Sequence, residues 1–185
     1  IEGLIADGTF AFVGNDGPDS WAATDGNDFF VSSGGDDLFD GQFGRDRAIY
    51  THATGPISVE LADGIVTGDA SVGTDTLRSI ELVTGTAFGD SFDATDFSNN
   101  SMNAGSAVGG DVNGTFNEFE GCGGDDIITG NGNTRISYLH ATSGVSVNLV
   151  TGEAVGDDSV GYDIFTGVNS VRGSYFIDAL LGSDN

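Results

Sequence analysis

Residues 14–49 read GNDGPDSWA, ATDGNDFFV, SSGGDDLFD and GQFGRDRAI, four consecutive blocks of nine. Gly17, Gly26, Gly35 and Gly44 hold one place of the block, and Asp19, Asp28, Asp37 and Asp46 stand two residues further on. Trp21, Phe30, Phe39 and Ala48 follow two residues after that. Gly8 and Phe12 extend the pattern upstream, with Phe10 in the Asp place. Nine residues are too few for a helix–turn–helix or a propeller blade. They fit a tight turn, for which Gly supplies the backbone angles, and a very short strand whose apolar residue faces inward. Two blocks make one coil of a flattened solenoid, so turns on one side recur every 18 residues. That places Asp19 over Asp37 and Asp28 over Asp46. Stacked carboxylates repel unless a cation lies between them. A hard dication with oxygen ligands fits, Ca²⁺ better than Mg²⁺, because Ca²⁺ accepts about six to eight oxygens in flexible geometry.

A second repeat has a period of 88 residues. Residues 50–92 align without a gap on 138–180, with 18 identities in 43 positions. Tyr50, His52, Ala53 and Thr54 return as Tyr138, His140, Ala141 and Thr142. Ile57, Val59 and Leu61 alternate with Ser58 and Glu60, and Val145, Val147 and Leu149 do the same, as half-buried strands do. The expected fold class is therefore all-β, a right-handed parallel β-roll or β-solenoid built from Gly/Asp-rich nonapeptide turns. The whole chain, 1–185, reads as a single elongated module. Its parts are a nonapeptide block over 5–50, a first long strand-and-loop unit over 51–92, an irregular or degenerate coil over 93–118, and a second copy over 119–185.

Composition narrows the function. The chain has 185 residues, 29 acidic and 5 basic, and a net charge of −24. All five cations are Arg, and Asp outnumbers Glu 23 to 6. No basic patch is expected, which argues against nucleic acid and against an anionic membrane surface. No apolar run is long enough to span a bilayer, and no basic-then-apolar leader opens the sequence. Ile1 rather than Met at the start reads as a fragment or a processed product. The single Cys122 permits no internal disulfide. Thirteen Phe are too many for a plain disordered acidic tail. The preference for Asp points to turns, where a short carboxylate reaches its own backbone.

Residues 14–49, and above all Gly34-Gly35-Asp36-Asp37-Leu38-Phe39-Asp40-Gly41, resemble the RTX, or hemolysin-type, calcium-binding repeat G-G-x-G-x-D-x-U-x. Further matches stand at 85–93, 121–129 and 173–181. The double Gly that opens the motif is mostly replaced, by Ala23-Thr24, Ser32-Ser33 and Gly41-Gln42. The resemblance implies Ca²⁺ ligands at Asp19, Asp28, Asp37, Asp46, Asp90, Asp126 and Asp178. It adds backbone carbonyls of the turns, at Gly17, Gly26, Gly35 and Gly44. It also implies several Ca²⁺ ions, export by type I secretion, and folding on calcium outside the cell, in a secreted or surface-exposed bacterial protein such as an adhesin.

Plainer readings stand beside these. Asp69, Asp75, Asp157 and Asp163 read equally as solvated loop carboxylates or as ligands. His52 and His140 read as packed or hydrogen-bonded structural residues, since their separation matches no zinc spacing. Cys122 reads as a small turn residue, and Arg45 and Arg47 as balance for acidic turns. No catalytic motif is present, so the chain is not expected to be an enzyme. The leading function is a non-catalytic calcium-binding structural module that associates head to tail or joins other domains. The alternative is a carbohydrate-binding accessory module of a secreted polysaccharide-processing enzyme, which needs exposed aromatics on one face.

Overall fold

The structure, a computed structural model, describes residues 2–6, 9–103 and 115–182. Gly8 and, within the stretch expected to be irregular, residues 104–114 lie outside the described residues. All regular structure among the described residues is β, in seventeen strands linked into one hydrogen-bonded system.

A hairpin of β1 (Glu2–Ala6) and β2 (Thr9–Val13) precedes four strands of three residues: β3 (Ser20–Ala22), β4 (Phe29–Val31), β5 (Leu38–Asp40) and β6 (Arg47–Ile49). Each nonapeptide block thus gives one short strand, and Gly-rich turns leave no room for a longer one. The pairing is parallel at an offset of two blocks. Phe12 sits beside Phe30, Phe30 beside Ala48, and Trp21 beside Phe39. These apolar residues face inward, as their phase requires. Phe12 and Phe30 stack with ring centroids 4.8 Å apart, Phe30 and Phe39 at 5.2 Å, and Trp21 and Phe39 at 5.7 Å. Such aromatic contacts each contribute about 1 kcal/mol beyond the area they bury.

The 88-residue repeat is visible as repeated topology. The first copy contains β7 (Ser58–Glu60), β8 (Ile65–Thr67), β9 (Thr74–Arg78), β10 (Leu82–Thr84) and β11 (Ser91–Asp93). After β12 (Asn117–Glu120) and β13 (Ile127–Ser137), the second copy gives β14 (Ser146–Asn148), β15 (Glu153–Val155), β16 (Tyr162–Arg172) and β17 (Ala179–Leu181). Here the pairing departs from an all-parallel expectation. β7–β8–β9 and β14–β15–β16 are antiparallel meanders, and β1–β2 is antiparallel too. Gly64 and Gly152, at φ 68° and 74°, sit in the turns that reverse the chain. A Cβ on either would lie within 2.3 Å of a carbonyl oxygen of the next strand, Leu77 or Phe165.

After each meander the parallel stack resumes. β10 lies between β6 and β12, and β11 between β7 and β13. The eleven-residue β13 bends so that Ile127–Thr129 covers β11 while 134–136 covers β12. The core between the faces is continuous and includes Phe30, Phe39, Val59, Leu77, Val83, Phe92, Phe119 and Ile136.

Candidate functional site: stacked turn carboxylates

The turns bring the motif Asp residues together in columns, and the backbone supplies the first interaction between coils. In one column Asp19 N donates to Asp37 Oδ1 at 2.9 Å, and Asp37 N to Asp75 Oδ1 at 3.0 Å. In a second, Asp28 N donates to Asp46 Oδ1 at 2.7 Å and Asp46 N to Glu81 Oε2 at 3.1 Å. In a third, Ile57 N donates to Asp90 Oδ1 at 2.8 Å, Asp90 N to Asp126 Oδ1 at 2.7 Å, and Asp126 N to Asp163 Oδ1 at 3.1 Å. Val145 N donates to Asp178 Oδ1 at 2.9 Å, repeating the Ile57–Asp90 contact. Past the first rung of a column, each carboxylate therefore caps the N–H of the rung before it. Where the acceptor is ionised such a bond contributes about 1.5–3 kcal/mol, and about 1 kcal/mol where it is protonated.

The second oxygen divides the sites into two kinds. Where it is closed, the residue four places earlier donates its own N–H. Asn15 N reaches Asp19 Oδ2 at 2.9 Å, Thr86 N reaches Asp90 Oδ2 at 2.7 Å, and Ser174 N reaches Asp178 Oδ2 at 2.9 Å. The Thr86 and Ser174 hydroxyls add bonds to Oδ1 of the same Asp. Thr24 N points at Asp28 Oδ2 over a longer 3.4 Å. Where the second oxygen is open, it is buried without a partner: Oδ2 of Asp37, Asp46 and Asp126. Four residues before Asp46 and Asp126 stand Gln42 and Cys122, both left-handed, at φ 64° and 73°. Gln42 N turns instead to Asp40 Oδ1 at 3.3 Å. These two residues occupy the place of the second Gly in the repeat motif, so the turn keeps the glycine conformation without the glycine.

Gly residues serve the columns by shape. A Cβ on Gly44 would lie 1.8 Å from the Gly26 carbonyl oxygen, and one on Gly35 2.6 Å from the Gly17 carbonyl carbon. So the Gly17, Gly26, Gly35 and Gly44 turns stack backbone on backbone. The Gly five places before an Asp leaves space for its carboxylate. A Cβ on Gly41 would fall 2.3 Å from Asp46 Oδ2, and one on Gly121 1.6 Å from Asp126 Oδ2.

Burial sets the electrostatics. It pushes the Asp46 carboxyl up to about 9, with Glu81 and Asp28 adding to the rise against the Asp28 N–H. It pushes Asp126 up to about 8, with Asp163, Asp90 and Asp125 contributing. Asp75 and Asp163 go up to about 7, chiefly by burial. Burial also raises Asp37 and Asp90. At Asp178 burial is outweighed by the N–H groups of Val145 and Ser174, and the carboxyl lies below its usual range.

Asp75, Asp163 and Glu81 complete the columns. The first two are matched partners in the 88-residue repeat, a signal the sequence offered. Glu81 breaks the Asp pattern and lies outside any nonapeptide block. Asp69 and Asp157 stay in exposed loops and accept from Thr54 Oγ1 at 2.9 Å and Thr142 Oγ1 at 3.0 Å. His140 Nδ1 lies 3.0 Å from Glu120 Oε1, whereas His52 sits in an exposed turn. The Cys122 thiol is pushed up to about 12 by burial, and so stays protonated at neutral pH. Among the described residues, no three side chains of His, Cys, Asp or Glu converge on one point. The lone pairs that the columns present are those of oxygens, which suit a hard cation better than a soft one. No family model matches the chain, and no curated protein matches it.

Proposed function

We propose that this chain is a non-catalytic, Ca²⁺-binding structural module of a secreted or cell-surface bacterial protein, a right-handed β-roll interrupted by antiparallel inserts. The observation that carries this reading is the set of three buried carboxylate oxygens, on Asp37, Asp46 and Asp126, that lack any partner. A buried ionised oxygen without a partner costs several kcal/mol, and a cation or a proton relieves it. Asp37, Asp46 and Asp126 would hold the ions through Oδ2. The remaining ligands would come from turn carbonyls, because among the described residues no group of three acidic side chains forms a cluster. Bound Ca²⁺ supplies positive charge between like-charged rungs, and its binding free energy adds to folding. Asp19, Asp90 and Asp178 already have both oxygens capped, and serve in this reading as hydrogen-bonded rungs.

End-to-end association belongs to the same proposal. β11 is covered on both sides, and its Phe92 is buried. Among the described residues its counterpart β17 pairs with β14 alone, and Leu180, in the place of Phe92, is 50% exposed. Around it, Tyr175, Ile177 and Leu181 stand where the first copy has Ala87, Gly89 and Asp93, and Ile177 is 96% exposed. An open strand edge with such apolar residues favours stacking of another coil. This cluster includes aliphatic side chains as well as rings, which favours stacking over a sugar platform.

The test is thermal and urea unfolding followed by circular dichroism, with chelator and with millimolar Ca²⁺, alongside Ca²⁺ titration calorimetry. The expected result is a Ca²⁺-dependent rise in stability with saturable heat. No heat and coincident unfolding curves would refute calcium binding.

A further inference from the structure

In a chain with five Arg and a charge of −24, the cations are not scattered. On the outer face of the parallel stack, strand register sets Arg47 beside Leu82, Leu82 beside Glu118, and Glu118 beside Arg135. Glu118 is fully buried and bonds both Arg47 and Arg135. Glu120, almost as buried, contacts Arg47 at 3.4 Å and His140 at 3.0 Å. The guanidinia of Arg45 and Arg135 lie 4.8 and 5.1 Å from the Phe116 ring centroid. Two buried carboxylates are thus matched by Arg47 and Arg135.

Beside this network lies a cavity of about 580 Å³. Arg45, Arg47, Arg172 and His140 line it, and among the described residues no Asp or Glu does. Arg172 is exposed, and its guanidinium makes no ion pair or side-chain hydrogen bond with any described residue. Phe29, Ile49, Leu82 and Leu139 form an apolar wall, and the Thr51 and Thr84 side chains also line the cavity. The volume is within the usual range for small-molecule sites, about 300–1,000 Å³, and the mix of an apolar wall with few polar groups is typical of them. Arg presents a planar fork that pairs a carboxylate through two bonds. An overall charge of −24 repels anions, so the exposed Arg172 guanidinium at the cavity is the feature that would admit one.

We propose that this cavity binds a small organic anion with an apolar body, such as an aryl or alkyl carboxylate. The carboxylate pairs with Arg172, and the body lies on Phe29, Ile49, Leu82 and Leu139. None of the column carboxylates lines the cavity, and the proposal stands whether or not calcium binds to them.

The test is isothermal titration of the full chain with 4-phenylbutyrate, compared with 4-phenylbutylamine and with inorganic sulfate. Phenylbutyrate is expected to bind, while the amine, which has the wrong charge, and sulfate, which has no apolar body, bind at least tenfold more weakly. Arg172→Ala is expected to weaken phenylbutyrate at least tenfold, with Arg172→Lys between it and the parent chain. Arg78→Ala, which removes a cation away from the cavity, is expected to change nothing. Circular dichroism of each variant checks the fold. Absence of phenylbutyrate binding, equal binding of the amine, or unchanged affinity in Arg172→Ala would overturn the proposal.

Discussion

Replacing Asp46 by Asn separates the charge of the column from its hydrogen bonds. Asp46 is wholly buried, its Oδ1 caps Asp28 N at 2.7 Å, and its Oδ2 has no partner. Asn keeps the acceptor and removes the charge. The Asp46 carboxyl rises from 3.8 unfolded to about 9 folded. Between these values the folded chain holds a proton that the unfolded chain has lost, so metal-free stability falls as pH rises through the window. The loss begins near pH 4 and is complete near pH 9. At about 1.4 kcal/mol per pH unit the gap has an upper bound of ~7 kcal/mol, and relaxation of the turn brings the expected cost at pH 8 to about 3 kcal/mol. With chelator at pH 8, Asp46→Asn is therefore expected to be more stable than the parent by about 3 kcal/mol, and near pH 4 by almost nothing. With millimolar Ca²⁺ the order reverses, because Asn is a poorer ligand and carries no charge to neutralise. Urea titrations followed by the fluorescence of Trp21, which stacks on Phe39, read both conditions. A variant that is destabilised equally with and without calcium at pH 8 would refute this reasoning, since the buried charge would then be no burden.

Other substitutions probe shape and charge. Gln42→Gly should stabilise the chain by about 1 kcal/mol in urea unfolding, because Gln42 pays for a left-handed backbone that Gly adopts freely. Gly44→Ala should cost about 3 kcal/mol or abolish folding, as its Cβ meets the Gly26 carbonyl at 1.8 Å; a normal dichroism spectrum and melting curve would contradict the stacking. Arg47→Ala should cost about 3 kcal/mol by stripping Glu120 and Glu118 of a cation in a buried setting. Ile177→Asp with Leu181→Asp should leave stability unchanged and shift sedimentation toward monomer if the exposed C-terminal edge drives association.

The sequence carried the core more clearly than the site. A fixed phase puts Phe12, Phe30 and Ala48 on one line, and parallel pairing at two blocks follows from it. Strand direction in the inserts was not legible, because alternation at Ile57, Val59 and Leu61 marks a buried face and says nothing about which way a neighbour runs. The columns were legible as Asp over Asp. That each Asp caps the preceding backbone N–H was not, since a repeat of residue type does not tell where a short side chain points. Glu81 joins Asp46 across 35 residues of intervening chain, beyond any local period. The arginine cavity draws on positions 45, 47 and 172, which only the stacking of coils brings together.

The residue four places before each Asp decides whether a rung is closed or open. Thr86 and Ser174 turn an N–H and a hydroxyl onto their Asp and leave both oxygens satisfied. Gln42 turns its N–H to Asp40, Cys122 shares the left-handed backbone, and the oxygens left bare are on Asp46 and Asp126. At Asp37 the Ser33 N–H faces the carboxylate but makes no full hydrogen bond to Oδ2, and the Ser33 hydroxyl goes to the Asn15 carbonyl at 2.9 Å. Backbone strain and an unpaired buried oxygen coincide at two separate turns, and each is costly alone. Their coincidence is what the proposed calcium site requires, since an N–H that capped the oxygen would also occupy the ion's place. Gln42→Thr, which favours negative φ, should therefore close the Asp46 rung in the manner of Thr86. The expected outcome is a more stable metal-free chain and a smaller calcium-induced gain, both read by urea unfolding. If Gln42→Thr leaves the calcium gain intact, the open oxygen of Asp46 is not a ligand and the strain at Gln42 serves the turn alone.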